Sequence, residues 1–356
     1  MYKVTDTAER KSLQSPGYNW AFNKQTGLFI RTGRTEHDDP EFSPYGPEIA
    51  DIEISAGRCS AGCPHCYKSS SSTSERRNMT LPIFQGVLSR IERTLTQIAF
   101  GITDIYANPD FFDILRETRK RGIVPNYTTS ALDLDEKAVR TTAELCGAVA
   151  VSVVDENACF DAIRRFTEAG MTQVNIHMVL ARETFGKAVK LLDKAKHDPR
   201  LENLNAIVFL AYKPKGRNPG MWKPLGAVEE YEELITKCEE AKVNYGFDSC
   251  SAPMVLRARP KHYEFIEPCE SGLFSSYISS EADFYPCSFS EGTPGWETGI
   301  DVLGTEDFVK DVWMHPRTVA WREGLLASSK GCDCPMKDSC RSCPLYRLTS
   351  CKGEVI

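Results

Sequence analysis

The sequence predicts an α/β protein: a partial, open barrel of the (β/α)6 type carrying a smaller cysteine-rich C-terminal domain. Three observations point there. From residue 49 to about 255, short apolar runs alternate with amphipathic stretches of roughly 10–15 residues, the rhythm of βα units around a parallel sheet. Only six or seven such units fit, too few for a closed eight-fold barrel. Beyond residue 255 the rhythm stops, and seven of the fourteen cysteines follow.

Residues 1–48 are polar and rich in turn formers, with one β-hairpin expected around Lys24–Gly27 in YNWAFNKQTGLFIRTG. Strands are then expected at DIEIS (51–55), DIYA (104–107), VPNYTT (124–129), AVAVSV (148–153), QVNIHMVL (173–180), AIVFLAY (206–212) and NYGFD (244–248). Helices are expected over 81–98, 110–121, 133–145, 158–169, 184–197 and 228–241. Gly122 and Gly170 stand where two of these should stop. In the tail, SSYIS and DFYPCSF read as short strands and 316–327 as a helix. The expected divisions are an N-terminal extension (1–48), an opened TIM-type barrel (49–255) and an auxiliary domain (256–356).

Composition narrows the function. The net charge is −6 with no long Lys/Arg run, so extended nucleic-acid binding is not expected. No apolar run reaches the roughly 18–20 residues that span a bilayer, and the N-terminus has no signal core, so the expected location is the cytoplasm. There cysteines serve metals or catalysis more often than disulfides. Cys146, Cys159 and Cys238 are scattered and read as small buried hydrophobes.

The stretch RCSAGCPHCYKSSSS gathers Cys59, Cys63 and Cys66 at spacings of four and three. On a helix those positions share a face, but Gly62 and Pro64 bracket Cys63, and proline inside a helix costs about 3 kcal/mol. A loop is expected instead, directly after DIEIS and so at the C-terminal face of the barrel, where barrel chemistry sits. Zinc would want four closed ligands, and no nearby CxxC or His pair adds one, although His65 is a ligand in principle. A [4Fe–4S] cluster on three thiolates with one iron open accounts for the count.

This loop, at this place in a partial barrel, resembles the radical S-adenosylmethionine (radical SAM) superfamily over roughly residues 49–250. The resemblance implies that the amino and carboxylate groups of SAM chelate the open iron. It also implies that an electron from the cluster cleaves SAM to methionine and a 5′-deoxyadenosyl radical, which abstracts hydrogen from a substrate. His65 and Tyr67 then fall beside the adenine. Asn108 and Pro109 stand where the family has Gly-Glu-Pro, leaving backbone carbonyls or Asn108 Oδ1 to meet the amino group. Thr129 and Ser130 replace part of Thr-Asn-Gly, and Ser152 matches a ribose-contacting position. Asn175, His177, Lys213 and Arg217 complete the expected cofactor set. Cys250, after the last strand, is a candidate hydrogen donor or substrate contact beside the plainer reading of a structural thiol.

The tail, EPCESG to the C-terminus, resembles a SPASM-type domain, which implies one or two auxiliary [4Fe–4S] clusters on Cys269, Cys287, Cys332, Cys334, Cys340, Cys343 and Cys351. Ala282 occupies the glycine position of that pattern, and a zinc knuckle is the competing reading. SPASM-type relatives imply a peptide or protein side chain as substrate, with a small molecule or nucleotide as the alternative. Residues 1–48 are too short for a winged-helix leader-binding domain, which tilts towards the alternative or towards a separate leader-recognition protein. A low-potential flavodoxin or ferredoxin would suffice as electron donor. A non-catalytic iron–sulfur or zinc module in regulation is the reading from another class.

Overall fold

The computed structural model describes residues 2–261, 266–330, 337, 340–346 and 348. Cys332, Cys334 and Cys351 lie outside the described residues.

The extension folds as a four-stranded antiparallel sheet of β1 (Lys3–Asp6), β2 (Arg10–Gln14), β3 (Asn19–Asn23) and β4 (Phe29–Thr32), in that order. The expected hairpin joins β3 to β4: Asn23 Oδ1 accepts from the Gln25 and Thr26 amides at 2.9 Å each, the side-chain turn that lets the chain reverse. Leu13, Trp20 and Phe22 pack on Leu273, Phe274 and Leu325 of the tail. Arg31 pins the two together, bonding buried Glu48 at 2.6 Å and Glu270 at 3.3 Å.

The barrel follows as β5 (Ile49–Glu53), α1 (Leu81–Ile91), β6 (Gln97–Gly101), α2 (Phe111–Lys120), β7 (Val124–Thr129), α3 (Glu136–Leu145), β8 (Ala148–Ser152), α4 (Glu156–Glu168), β9 (Val174–Leu180), α5 (Phe185–His197), β10 (Ala206–Ala211), α6 (Val228–Ala241), β11 (Tyr245–Phe247) and α7 (Ala252–Ala258). β5 to β11 lie side by side in sequence order and parallel, with no pairing of β11 back to β5. One face, with Ile52, Phe100, Val151, Ile176 and Phe209, is buried in the main core. The alternate residues, Asp51, Asn126, Thr128, Ser152, Asn175 and His177, face the lumen and keep contact with solvent. The tail extends this sheet rather than standing apart. β12 (Ser275–Ile278) pairs parallel with β5, then β13 (Asp283–Tyr285) and β14 (Ile300–Asp301) add antiparallel, before α8 (Pro316–Ala327).

Two expected elements move. DIYA is a turn, not a strand, and the second barrel strand is QIAFG at 97–101, which takes over the end of the stretch expected to be helical (81–98) and continues past it. α1 stops at Ile91, and Thr94 and Thr96 turn their hydroxyls onto the carbonyls of Pro47 (2.7 Å) and Glu48 (2.9 Å), which lays the following residues beside β5. Ile98 and Phe100 then alternate inward to the core as a strand requires. In the tail, Ala282 adopts φ +67°, the left-handed conformation for which the family pattern keeps glycine. Among the described residues no helix is long and apolar enough to cross a membrane.

Candidate active site

Cys59, Cys63 and Cys66 lie together in the loop after β5, each half-buried. The loop is closed by backbone bonds from Cys59 to Ser71 (3.0 Å) and from Cys66 to Cys63 (3.2 Å). Asp104, in the turn after β6, holds it on one side by accepting from the Ser60 amide and hydroxyl at 2.9 Å each. Residues 216–218 hold it on the other. The Arg217 amide donates to the Cys66 carbonyl at 2.9 Å, its guanidinium to the carbonyls of Cys63 (3.1 Å) and Ser70, and Asn218 to the Pro64 carbonyl at 3.2 Å. Arg217 is thus engaged by the loop itself rather than open to a cofactor. Burial pushes the Cys59 and Cys63 thiols up, and charge on neighbouring thiols adds to it, while backbone N–H groups oppose it. Thiols that resist ionising one by one, as Cys59 and Cys63 do, are stabilised as thiolates on a cationic cluster. Among the described residues no three His, Cys, Asp or Glu donors converge as a single ion needs. A multinuclear cluster, whose corners hold thiolates apart, fits this loop better than one zinc.

At the strand ends, the hydroxyls of Ser55, Thr103 and Ser130 are buried with no hydrogen-bond partner among the described residues. They follow β5, β6 and β7 at the end of the barrel that carries the cysteines, so a polar ligand at the mouth would satisfy them. Ser130 was expected; nothing in the sequence marks Ser55 or Thr103. His65 stacks on Trp222 at 4.5 Å, with Nδ1 buried and partnerless among the described residues. Ser152 is half-buried on the lumen face. His177 meets Thr128 Oγ1 at 3.3 Å, and burial drives its pKa down to about 4, so the ring is neutral at pH 7. Asn175 accepts from Asn205 at 2.8 Å.

Other expected contacts are redirected. Asn108 and Pro109 lie in the turn before α2 rather than at the end of a strand, a consequence of the shifted β6. The Asn108 amide donates to the carbonyls of Ile54 (2.7 Å) and Met79 (2.9 Å), while Oδ1 accepts from the Asp110 amide (2.9 Å). Thr129 is buried and accepts from the Ala131 amide at 2.9 Å. Tyr67 stacks on Phe289 of the tail at 4.5 Å.

The lumen also holds charges that the motif reading passed over. Glu53 accepts from Arg76 at 2.9 Å and Tyr277 at 3.1 Å, with Lys68 at 3.4 Å; Lys68 also bonds Glu291 and Tyr277. The network ties the cysteine loop to β5, to β12 and to the tail. Asp51 is open to the lumen, and the protein packed around that lumen raises its carboxyl to about 6. The signal was present: acids alternate in DIEIS, at period two, on the face opposite the isoleucines.

No family model matches the sequence, and no curated protein does. Solved structures do match. SuiB from Streptococcus suis bound to the precursor peptide SuiA aligns with a TM-score of 0.74 at 13% identity, over 96% of this chain and 95% of that one. SuiB bound to S-adenosylmethionine gives 0.67 at 15% identity, over 84% and 73%. anSMEcpe with bound AdoMet and Cp18Cys peptide gives 0.60 at 13%, over 83% and 89%. The chain has the radical SAM fold. At these identities the likeness is one of architecture, and this chain's chemistry has to be argued from its own residues.

Beside the radical SAM barrel a second group of thiols gathers. Cys269 is buried with its sulfur 3.5 Å from Ser271 Oγ, and Cys287 Sγ accepts from the Phe289 amide at 3.4 Å. Arg341 donates to the Cys269 carbonyl at 3.4 Å, which brings Cys343 alongside. Cys340 is half-buried. Lys213, at the end of β10, belongs to this group and not to the mouth: its ammonium pairs with Asp248 at 2.5 Å, bonds the Ala211 carbonyl at 2.9 Å and lies 4.9 Å from the Phe289 ring. Cys250 sits here too, within electrostatic reach of Cys269, Cys343 and Lys213. Cys146, Cys159 and Cys238 are buried in the main core.

Proposed function

We propose that this chain is an enzyme that carries a [4Fe–4S] cluster on Cys59, Cys63 and Cys66, binds S-adenosylmethionine there and takes hydrogen from a peptide side chain. The observation that carries the reading is a three-thiol loop, clamped by residues 216–218 and Asp104, over a polar lumen at the C-terminal end of an open barrel. When bound, the cluster and SAM supply a 5′-deoxyadenosyl radical. The protein's part is placement and shielding. The buried, unpartnered hydroxyls of Ser55, Thr103 and Ser130 would bond the cofactor's polar groups, and the His65 ring stacked on Trp222 would offer it a flat wall. Tyr67 on Phe289 and the Lys68–Glu53–Glu291 network close the side facing the tail and limit water entry. The lumen must hold the target carbon within roughly 3–4 Å of the radical carbon, near-attack geometry.

A peptide substrate is supported by two neighbours of the same fold, solved with the SuiA precursor peptide and the Cp18Cys peptide. The C-terminal thiols are read as auxiliary iron–sulfur ligands, the cytoplasm as the compartment, and a low-potential flavodoxin or ferredoxin as the reductant. The test is EPR of anaerobically reconstituted protein after dithionite, with and without SAM. SAM is expected to shift the reduced-cluster signal, and the shift is expected to vanish when Cys59, Cys63 and Cys66 are all alanine. A signal that ignores SAM in the parent protein would remove the cofactor assignment.

A further inference from the structure

We infer that the barrel completes the C-terminal thiol site: Cys250, just past β11, is a fourth ligand beside Cys269, Cys287 and Cys343, and the Lys213 ammonium, oriented by Asp248, is the site's counter-charge. This rests on the reading of the tail as an iron–sulfur domain and deepens it.

The geometry converges from four segments. Asp248 is fixed by its amide to the Phe209 carbonyl (3.0 Å), and its Oδ1 accepts from the Ser251 amide (3.1 Å) and hydroxyl (2.7 Å), a tight turn that sets Cys250 in place. Lys213 reaches across from β10 to Asp248 and lies over the ring of Phe289, two residues from Cys287. Phe289 meets Tyr346 edge-on at 6.2 Å, three residues from Cys343. Arg341 closes the ring on Cys269.

The electrostatics agree. Cys269 and Cys343 each act on Cys250 and on Cys287, and Lys213 feels both Cys250 and Cys287. Four neighbouring thiols around one lysine make a good cradle for a cluster. The counter-charge has a purpose in that setting: a buried cluster with four thiolates is anionic, and an ammonium sealed beside it favours the more negative, reduced state.

The experiment uses the full chain with Cys59, Cys63 and Cys66 changed to alanine, so that bound iron reports the tail alone. Adding Cys250→Ala, or Cys250→Ser should the alanine variant fold poorly, is expected to remove about one to four irons per chain, the loss of a corner iron or of the whole cluster. Cys238→Ala, a buried thiol outside the group, is expected to change nothing. Lys213→Gln is expected to keep the iron and lower the midpoint potential in an EPR-monitored titration. Unchanged iron in both Cys250 variants, while Cys269→Ala and Cys287→Ala lose it, overturns this inference alone. Unchanged iron in all of them, or zinc in its place, overturns the tail reading beneath it. An unchanged potential in Lys213→Gln removes the counter-charge.

Discussion

Changing Gly216 to alanine is expected to unload the first thiol site while the rest of the protein stays folded. Gly216 has φ +77°, and an added Cβ would overlap the carbonyl oxygens of Cys66 and Tyr67, backbone atoms of the cysteine loop itself. The left-handed conformation alone costs a non-glycine residue about 1–2 kcal/mol. Relieving the overlap means lifting residues 216–218 off the loop, with loss of the Arg217 bonds to Cys66 and Cys63 and the Asn218 bond to Pro64. Each is worth about 0.5–1.5 kcal/mol, so the total penalty is roughly 3–6 kcal/mol. A whole domain has about 5–15 kcal/mol to lose, so local release of the clamp relieves the strain more cheaply than unfolding. The assay is iron and sulfide per chain after anaerobic reconstitution, alongside thermal unfolding of the apoprotein. Gly220→Ala is the control, because nothing lies within 4 Å of the Cβ it would add. Gly216→Ala loading iron as fully as Gly220→Ala would refute the idea that this clamp shapes the loop.

Two lumen residues should pull the pH dependence of stability in opposite directions. His177 is held neutral with its pKa down near 4, so its contribution is present above about 6.5 and lost as pH falls towards 4; Asn in its place should flatten that slope by at most about 3 kcal/mol, less to the extent that lumen water reaches the ring. Asp51, raised to about 6, contributes below about 4 and loses stability as pH rises to 6, so Asp51→Asn should raise stability at pH 7; denaturant titrations at pH 4 to 8 read both, and slopes moving the same way would contradict the placement. Arg31→Met leaves Glu48 buried without its cation and is expected to cost about 3–5 kcal/mol by chemical denaturation; a loss below 1 kcal/mol would mean that Arg31 does not join the extension to the tail. Glu53→Gln removes the acceptor shared by Lys68, Arg76 and Tyr277, but Lys68 keeps Glu291, so about 2–3 kcal/mol is expected; an unchanged unfolding midpoint would speak against the network.

The barrel was legible because its two periods differ. Apolar alternation marks β7, whose bounds coincide with VPNYTT, and α6 and α8 fall on 228–241 and 316–327 as read from the sequence. β6 was hidden because TLTQIAFG carries no glycine or proline between helix and strand, and the contacts of Thr94 and Thr96 with the carbonyls of Pro47 and Glu48 are long-range. The cysteine loop was legible from Gly62 and Pro64, which exclude a helix. The fates of Lys213 and Arg217 were not. A long cation near a barrel mouth reads as a ligand-binding group, yet it bonds whatever acid or carbonyl the fold brings nearest, here Asp248 and the cysteine loop. Cys250 shows the same limit: its thiol companions come from residues 269, 287 and 343, a proximity that linear spacing does not contain.

The most direct test is turnover. Protein reconstituted anaerobically with iron and sulfide, then given SAM and dithionite, is expected to form 5′-deoxyadenosine, and the protein with Cys59, Cys63 and Cys66 changed together to alanine is expected to form none. A fully iron-loaded parent protein that makes no 5′-deoxyadenosine would contradict the account and leave a binding or regulatory role for the thiol loop.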